Sequence, residues 1–135
     1  MAVLEVGMAL PPFKMTITRE LLIRYAGATR DLNPIHWSDR RALEAGLPGV
    51  IAHGMLTAGI ALRVVGDWCG DPNRLVSYYT RFTKPVYVPD DDAGITLHVS
   101  ARVVDVAEDV VTISVTALVG GDPVLSAAMV KVRRV

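Results

Sequence analysis

The chain has 135 residues, 51% of them hydrophobic and 21% charged, with 14 basic side chains against 14 acidic ones. That size and apolar content suit one folded domain with a real core, spanning 1–135, and argue against disorder. Zero net charge and 6% aromatic content exclude an electrostatic nucleic-acid or membrane-surface binder and a stacking platform for single strands.

The opening stretch, "MAVLEVGMALPPF", lacks a basic start and is interrupted by Glu5, so no signal peptide is expected. "FKMTIT" alternates Phe13, Met15 and Ile17 with Lys14, Thr16 and Thr18, the pattern of a half-buried strand. Thr18 suits a helix N-cap and Glu20 the first turn, so a helix is predicted through "RELLIRYAGA", ending near Gly27. A shorter helix, "DRRALEA", has Ser38 as cap and Gly46 placed to stop it, with Pro48 after. Leu47 to Leu62 contains no Asp, Glu, Lys or Arg, yet falls short of the roughly 20 residues of a membrane span, so no span is expected. Within it begins "GMLTAGIALRVVG", apolar on almost every side, which predicts an enclosed helix.

The second half reads as strands: "RLVSYYTRFTKPVYV", "ITLHVSARVVDV", "VVTISVTALV" and "VLSAAMVKVRRV". Two of these alternate strictly, with Leu97, Val99, Ala101 and Val103, then Val111, Ile113, Val115 and Ala117, on the apolar faces. The turns "PDDDAG", "AED" and "GGDP" predict antiparallel neighbours. The economical assembly is α+β: a strongly curved antiparallel sheet around one central helix. About five strands leave one side of that helix open, so a dimer is expected, with sheets continuing edge to edge.

The polar residues that stand out are Asp31, Asn33 and His36 in "RDLNPIHWSD", and His53 in "IAHGML". Singly, Asp31 and Asn33 read as turn or cap residues and His36 as a structural histidine. His53 either lines a site or bonds a carbonyl where the helix starts. His98 belongs to the polar face of a strand, Tyr78 and Tyr79 to opposite faces of another, and Cys69 to the core or an interface. No His or carboxylate pair has metal-ligand spacing, so no metal is expected. The lone Cys69, unable to form an internal disulfide, suits a reducing cytoplasm.

Together, "YAGATRDLNPIHWSDRRALEAG", "GVIAHGML" and "TRFTKPV" resemble the hydratase-2 motif of the MaoC-like, (R)-specific enoyl-thioester hydratases and 3-hydroxyacyl-thioester dehydratases of the hot-dog superfamily. The resemblance implies a sheet wrapped around one long helix and a hydro-lyase acting on coenzyme A or carrier-protein thioesters, without a cofactor. It implies a homodimer, or a heterodimer with a related hot-dog subunit. By resemblance, Asp31 and His36 are the acid–base dyad, Asn33 supports the turn, and Gly54, with His53 beside it, meets the thioester oxygen.

The chemistry fits these residue types. Hydration of a trans-2-enoyl thioester needs a water activated toward the β-carbon and a proton delivered to the α-carbon, work for two groups sharing one water. Charge on the thioester oxygen needs donors, and Gly54 stands where helix N–H groups are free. One departure from the family is Arg30, where glycine usually precedes the Asp; it is read either as a surface replacement or as a partner for Asp31 or for a pantetheine phosphate. Two alternatives remain: a hot-dog acyl thioesterase, against which stands the lack of any acid in the central helix before Asp67, and a non-catalytic subunit, against which stands the dyad.

Overall fold

A computed structural model describes residues 4–134; Met1–Val3 of the opening stretch and Val135 of the closing strand lie outside the described residues. The elements run β1 (Phe13–Ile17), α1 (Arg19–Thr29), a 3-10 turn (Pro34–His36), α2 (Asp39–Glu44), α3 (Gly54–Cys69), a second 3-10 turn (Pro72–Arg74), β2 (Leu75–Phe82), β3 (Ile95–Val106), β4 (Val110–Val119), β5 (Asp122–Pro123) and β6 (Leu125–Arg133). They form one antiparallel sheet in the order β1-β3-β4-β6-β2, with β5 paired to β4.

The sheet curls around α3. Alternation does the sorting: Leu97, Val99, Ala101 and Val103 of β3 and Val111, Ile113, Val115 and Ala117 of β4 point inward and are buried. They meet Leu56, Ile60, Ala61, Val64 and Val65 of α3 in the single main core cluster. A tight turn and several register shifts, among them one between Leu75 and Ser77 and one between Val103 and Asp105, shape the sheet. Gly120 and Gly121, both at positive φ, make the tight turn after β4. On β6, Ala127 and Ala128 oppose Thr80 alone, a bulge in which Ala127 takes φ 49. An extra residue on one strand adds local twist, as a sheet wrapping a helix requires.

Thr18 caps α1 by accepting from the Leu21 amide, and Ser38 caps α2 by accepting from the Arg41 amide. Helix α1 does not stop near Gly27. It runs on to Thr29, and the left-handed stop is Arg30, at φ 60 and ψ 24. Ala28 and Thr29 keep helical geometry, so the chain reverses two residues later than the glycine suggested. Helix α3 likewise extends to Cys69, where Gly70 at φ 71 ends it. It is enclosed on most sides only: Met55, Gly59, Arg63 and Asp67, one stripe at i, i+4, i+8 and i+12, face outward.

Two expectations about strands are corrected. "RLVSYYTRFTKPVYV" is not one long strand; β2 ends at Phe82, and the rest becomes a strap. The Ala52 amide donates to Val86 (2.8 Å), the Val88 amide donates to Val50 (3.1 Å), and a bridge joins Ile51 to Tyr87. Pro85 has no N–H for a sheet ladder, and the chain leaves the sheet there to cross the start of α3. Consequently "PDDDAG" closes no hairpin. β2 pairs with β6 at one edge and β3 with β1 at the other, so the loop connects opposite sides of the sheet.

Candidate active site

The turn that carries Asp31 and His36 is built by short side chains that replace missing backbone partners. Beyond Arg30 the Asp31 amide donates to Thr29 Oγ1, the Asn33 amide to Asp31 Oδ1, and the Ile35 amide to Asn33 Oδ1, each at 3.3 Å. Pro34 opens the 3-10 turn at a position where an N–H would have no partner. The turn therefore presents Asp31 outward and swings His36 inward, where its ring is 8% exposed.

His36 Nδ1 lies 2.7 Å from the Ile51 carbonyl. A carbonyl only accepts, so Nδ1 carries the proton and Nε2 keeps the lone pair in the neutral ring. His53, 1% exposed, stacks on His36 with ring centroids 3.9 Å apart and planes 24° from parallel. Its Nε2–H donates to the Asp31 carbonyl at 3.3 Å, and Tyr25 meets its ring edge-on at 4.7 Å. Burial, and secondarily the His36 ring, holds the His53 pKa below the ordinary 6.5.

An Asp31 carboxylate oxygen and one ring nitrogen from each of His36 and His53 lie within 4.8 Å of one another. Three such groups could in principle take a cation. However, one nitrogen of each histidine is committed to a carbonyl, and near-parallel rings offer lone pairs side by side rather than converging on one ion. The Asp31 oxygen and the His36 ring nitrogen, within 4.8 Å of each other, are close enough for one water to bridge.

Gly54 begins α3 behind His53, with no side-chain cap over the first turn. Its N–H is thus an unclaimed donor at the positive end of a 16-residue helix. A cavity of about 290 Å³ opens beside it, lined by His36, Gly54, Thr57, Phe82, Val86 and Leu125 among others. The lining is mostly apolar, with His36, Thr57, Thr83 and Lys84 as its polar side chains, which suits an acyl chain with a polar head. A Cβ on Gly54 would lie 3.0 Å from Phe82 Cζ, so glycine lets the aromatic wall close on the backbone.

Other candidates fall outside this cavity. His53 is not in the cavity wall; its ring bonds the Asp31 carbonyl just before α3 starts. His98 is exposed on β3. Tyr78 faces α3 and donates to the Ala58 carbonyl at 3.0 Å, its pKa raised by burial, whereas Tyr79 on the opposite face is 54% exposed. Cys69 is half-buried at the far end of α3, about 22 Å along the helix from Gly54. Arg30 is exposed and makes no ion pair among the described residues, Asp31 included.

Thr57 and Phe82 were not foreseen as wall residues. Thr57 follows Gly54 by three positions, one helical turn, and that spacing was available to find it. Phe82 meets Gly54 only through the curl of the sheet, and no local pattern marks it.

The family model described as "MaoC like domain" matches residues 6–120. The chain belongs to the MaoC-like domain family. Within that family it is 41% identical over 76 residues to a "Probable enoyl-CoA hydratase 2" of Dictyostelium discoideum, an alignment covering 55% of this chain and 26% of that protein. Among solved structures it is similar to a "MaoC-like dehydratase", 34% identical with a TM-score of 0.93, over 98% of this chain and 41% of the other. It is also similar to a chain of the ChsH1-ChsH2 complex from Mycobacterium tuberculosis, 25% identical with a TM-score of 0.82, over 99% of this chain and 100% of the other. The MaoC-like chain thus spans about a quarter of that curated relative. The fold is the α+β hot-dog arrangement expected from the sequence, an antiparallel sheet around one helix, left unclosed.

Proposed function

We propose that this MaoC-like domain adds water to trans-2-enoyl thioesters, and removes it from (3R)-hydroxyacyl thioesters, carried on coenzyme A or acyl-carrier protein in fatty-acid metabolism. One observation carries the reading: His36 lines an apolar cavity together with Gly54, whose amide is uncapped, and an Asp31 carboxylate oxygen lies within 4.8 Å of a His36 ring nitrogen. In hydration, His36 Nε2 and the Asp31 carboxylate hold one water over the β-carbon and between them pass its proton to the α-carbon. The Gly54 N–H binds the thioester oxygen as it gains charge. Asn33 keeps the turn that sets the two apart. The handedness of the product rests on the family alone.

The same reading makes the chain half of a dimer of hot-dog subunits. The α3 stripe from Met55 to Asp67 and the free edge of β2 both await cover. A homodimer satisfies them, and so does a heterodimer such as the ChsH1-ChsH2 complex named above. Among the described residues no helix is long and apolar enough to cross a membrane; a cytoplasmic location is inferred from the lone Cys69.

The test is purified protein with crotonyl-coenzyme A, followed at the enoyl-thioester absorbance with chiral analysis of the product. Loss of absorbance with (R)-3-hydroxybutyryl product is expected. An unchanged absorbance, or the (S) product, overturns the proposal.

A further inference from the structure

The placement of His53 poses a question that the reaction above does not answer. It is among the most buried polar side chains described, it is absent from the cavity wall, and its Nδ1 has no hydrogen-bond partner among the described residues. A buried polar atom without a partner is uncommon and disfavours the fold, so a structural histidine would be expected to satisfy both nitrogens. What the ring does touch is the dyad, from both sides. Its Nε2–H holds the carbonyl of Asp31, and its face lies on the ring of His36. Tyr25 of α1 backs it edge-on, and the chain leads directly from His53 into Gly54, so one residue touches or adjoins all three groups of the site.

We infer that His53 is a positioning residue, a neutral imidazole clasping Asp31 to His36 in the geometry that lets them share one water. The inference rests on reading those two residues as the dyad. The tautomer follows from the contacts. Because a carbonyl accepts only, the proton sits on Nε2 and the bare nitrogen is Nδ1. Protonating Nδ1 would bury a charge with no acceptor against a second imidazole. The titratable groups facing the ring are His36 from the 3-10 turn, Tyr25 from α1 and Asp31 from the loop; Asp31 accepts from His53 through its backbone carbonyl, and its exposed carboxylate has an oxygen within 4.8 Å of a His53 ring nitrogen. The ring therefore stays neutral while the dyad cycles its proton, and it adds no charge beside His36.

Two variants and one measurement test this. His53→Gln keeps an N–H near the Asp31 carbonyl and removes the stacked ring; His53→Phe keeps a ring and removes the donor. Each should lower kcat for crotonyl-coenzyme A on the order of tenfold to a hundredfold, the cost of misplacing reacting groups by about an ångström, with KM nearly unchanged. A structural role alone would instead lower the melting temperature and leave turnover per folded molecule intact, and that result overturns the inference. Asp31→Asn is measured beside them. If it is inactive while both His53 variants keep full kcat, only the clasp fails; if it is fully active, the dyad reading fails and takes the clasp with it. Should neither variant fold, ¹⁵N imidazole shifts of the wild-type chain decide. A neutral Nε2–H ring at neutral pH is expected, and a charged or Nδ1–H ring overturns the proposal.

Discussion

Replacing Gly54 with alanine separates the site from the fold more sharply than any change to a charged residue. The added methyl would sit 3.0–3.2 Å from three ring carbons of Phe82, against an ordinary carbon contact of about 3.5–4.0 Å. Something has to give by roughly half an ångström, and Phe82, 57% exposed, can move. Alanine is the better helix former by up to about 1 kcal/mol, which offsets the repacking, so stability should stay within about 1 kcal/mol of wild type. Activity should not. The methyl and the displaced ring crowd the space over the first free N–H of α3, where the proposed reaction puts the thioester oxygen. Losing one such donor typically costs about 10²–10³ in kcat, or about 2.7–4 kcal/mol. Gly66→Ala is the control: same helix, open space around the new methyl, about 18 Å along the helix from the site. It should be neutral to stabilising with unchanged turnover. The assay is kcat and KM with crotonyl-coenzyme A beside thermal midpoints for both variants. A Gly54→Ala protein with wild-type kcat and KM would refute the oxyanion role.

The dyad makes its own demand: Asp31→Asn and His36→Ala should each remove about 10²–10⁴ of kcat, and the double variant should be scarcely worse than the poorer single one, checked by turnover at matched folded fraction. Arg30→Gly should raise stability by about 1 kcal/mol, or about three to five degrees, because a residue with a Cβ is held at φ 60 there; an unaltered melting temperature would contradict this. In that same variant an unchanged KM for coenzyme A substrates leaves Arg30 a surface replacement, and a raised KM makes it a phosphate contact. Because His53 has its pKa depressed in the fold, the unfolded chain takes up its proton first. Stability associated with it is therefore present above about 6.5 and is lost as pH falls from there through the folded value, and urea midpoints should show that decline in wild type and less of it in His53→Gln.

Periodicity in the sequence was enough to specify the sheet faces, because a strand's side chains alternate whatever the partner strand is. Leu97 to Val103 and Val111 to Ala117 could point inward in only one way. Capping was equally local, so Thr18, Ser38 and Asn33 were legible from their side-chain oxygens and the amides two or three residues on. The spacing of Asp31 and His36 around Pro34 was likewise in the sequence, since a rigid turn sets it. What the sequence alone did not determine was everything that depends on a second segment arriving from elsewhere. The end of α1 fell on Arg30 rather than Gly27, since surrounding structure can hold a side chain in the left-handed region that a local reading reserves for glycine. The pairing of β2 with β6, the strap from Thr83 to Val88, the Phe82 wall over Gly54 and the stacking of His53 on His36 are contacts between residues 17 to 57 positions apart. They arise when the sheet curls around α3 and brings distant side chains to one end of one helix, and no periodicity records that closure.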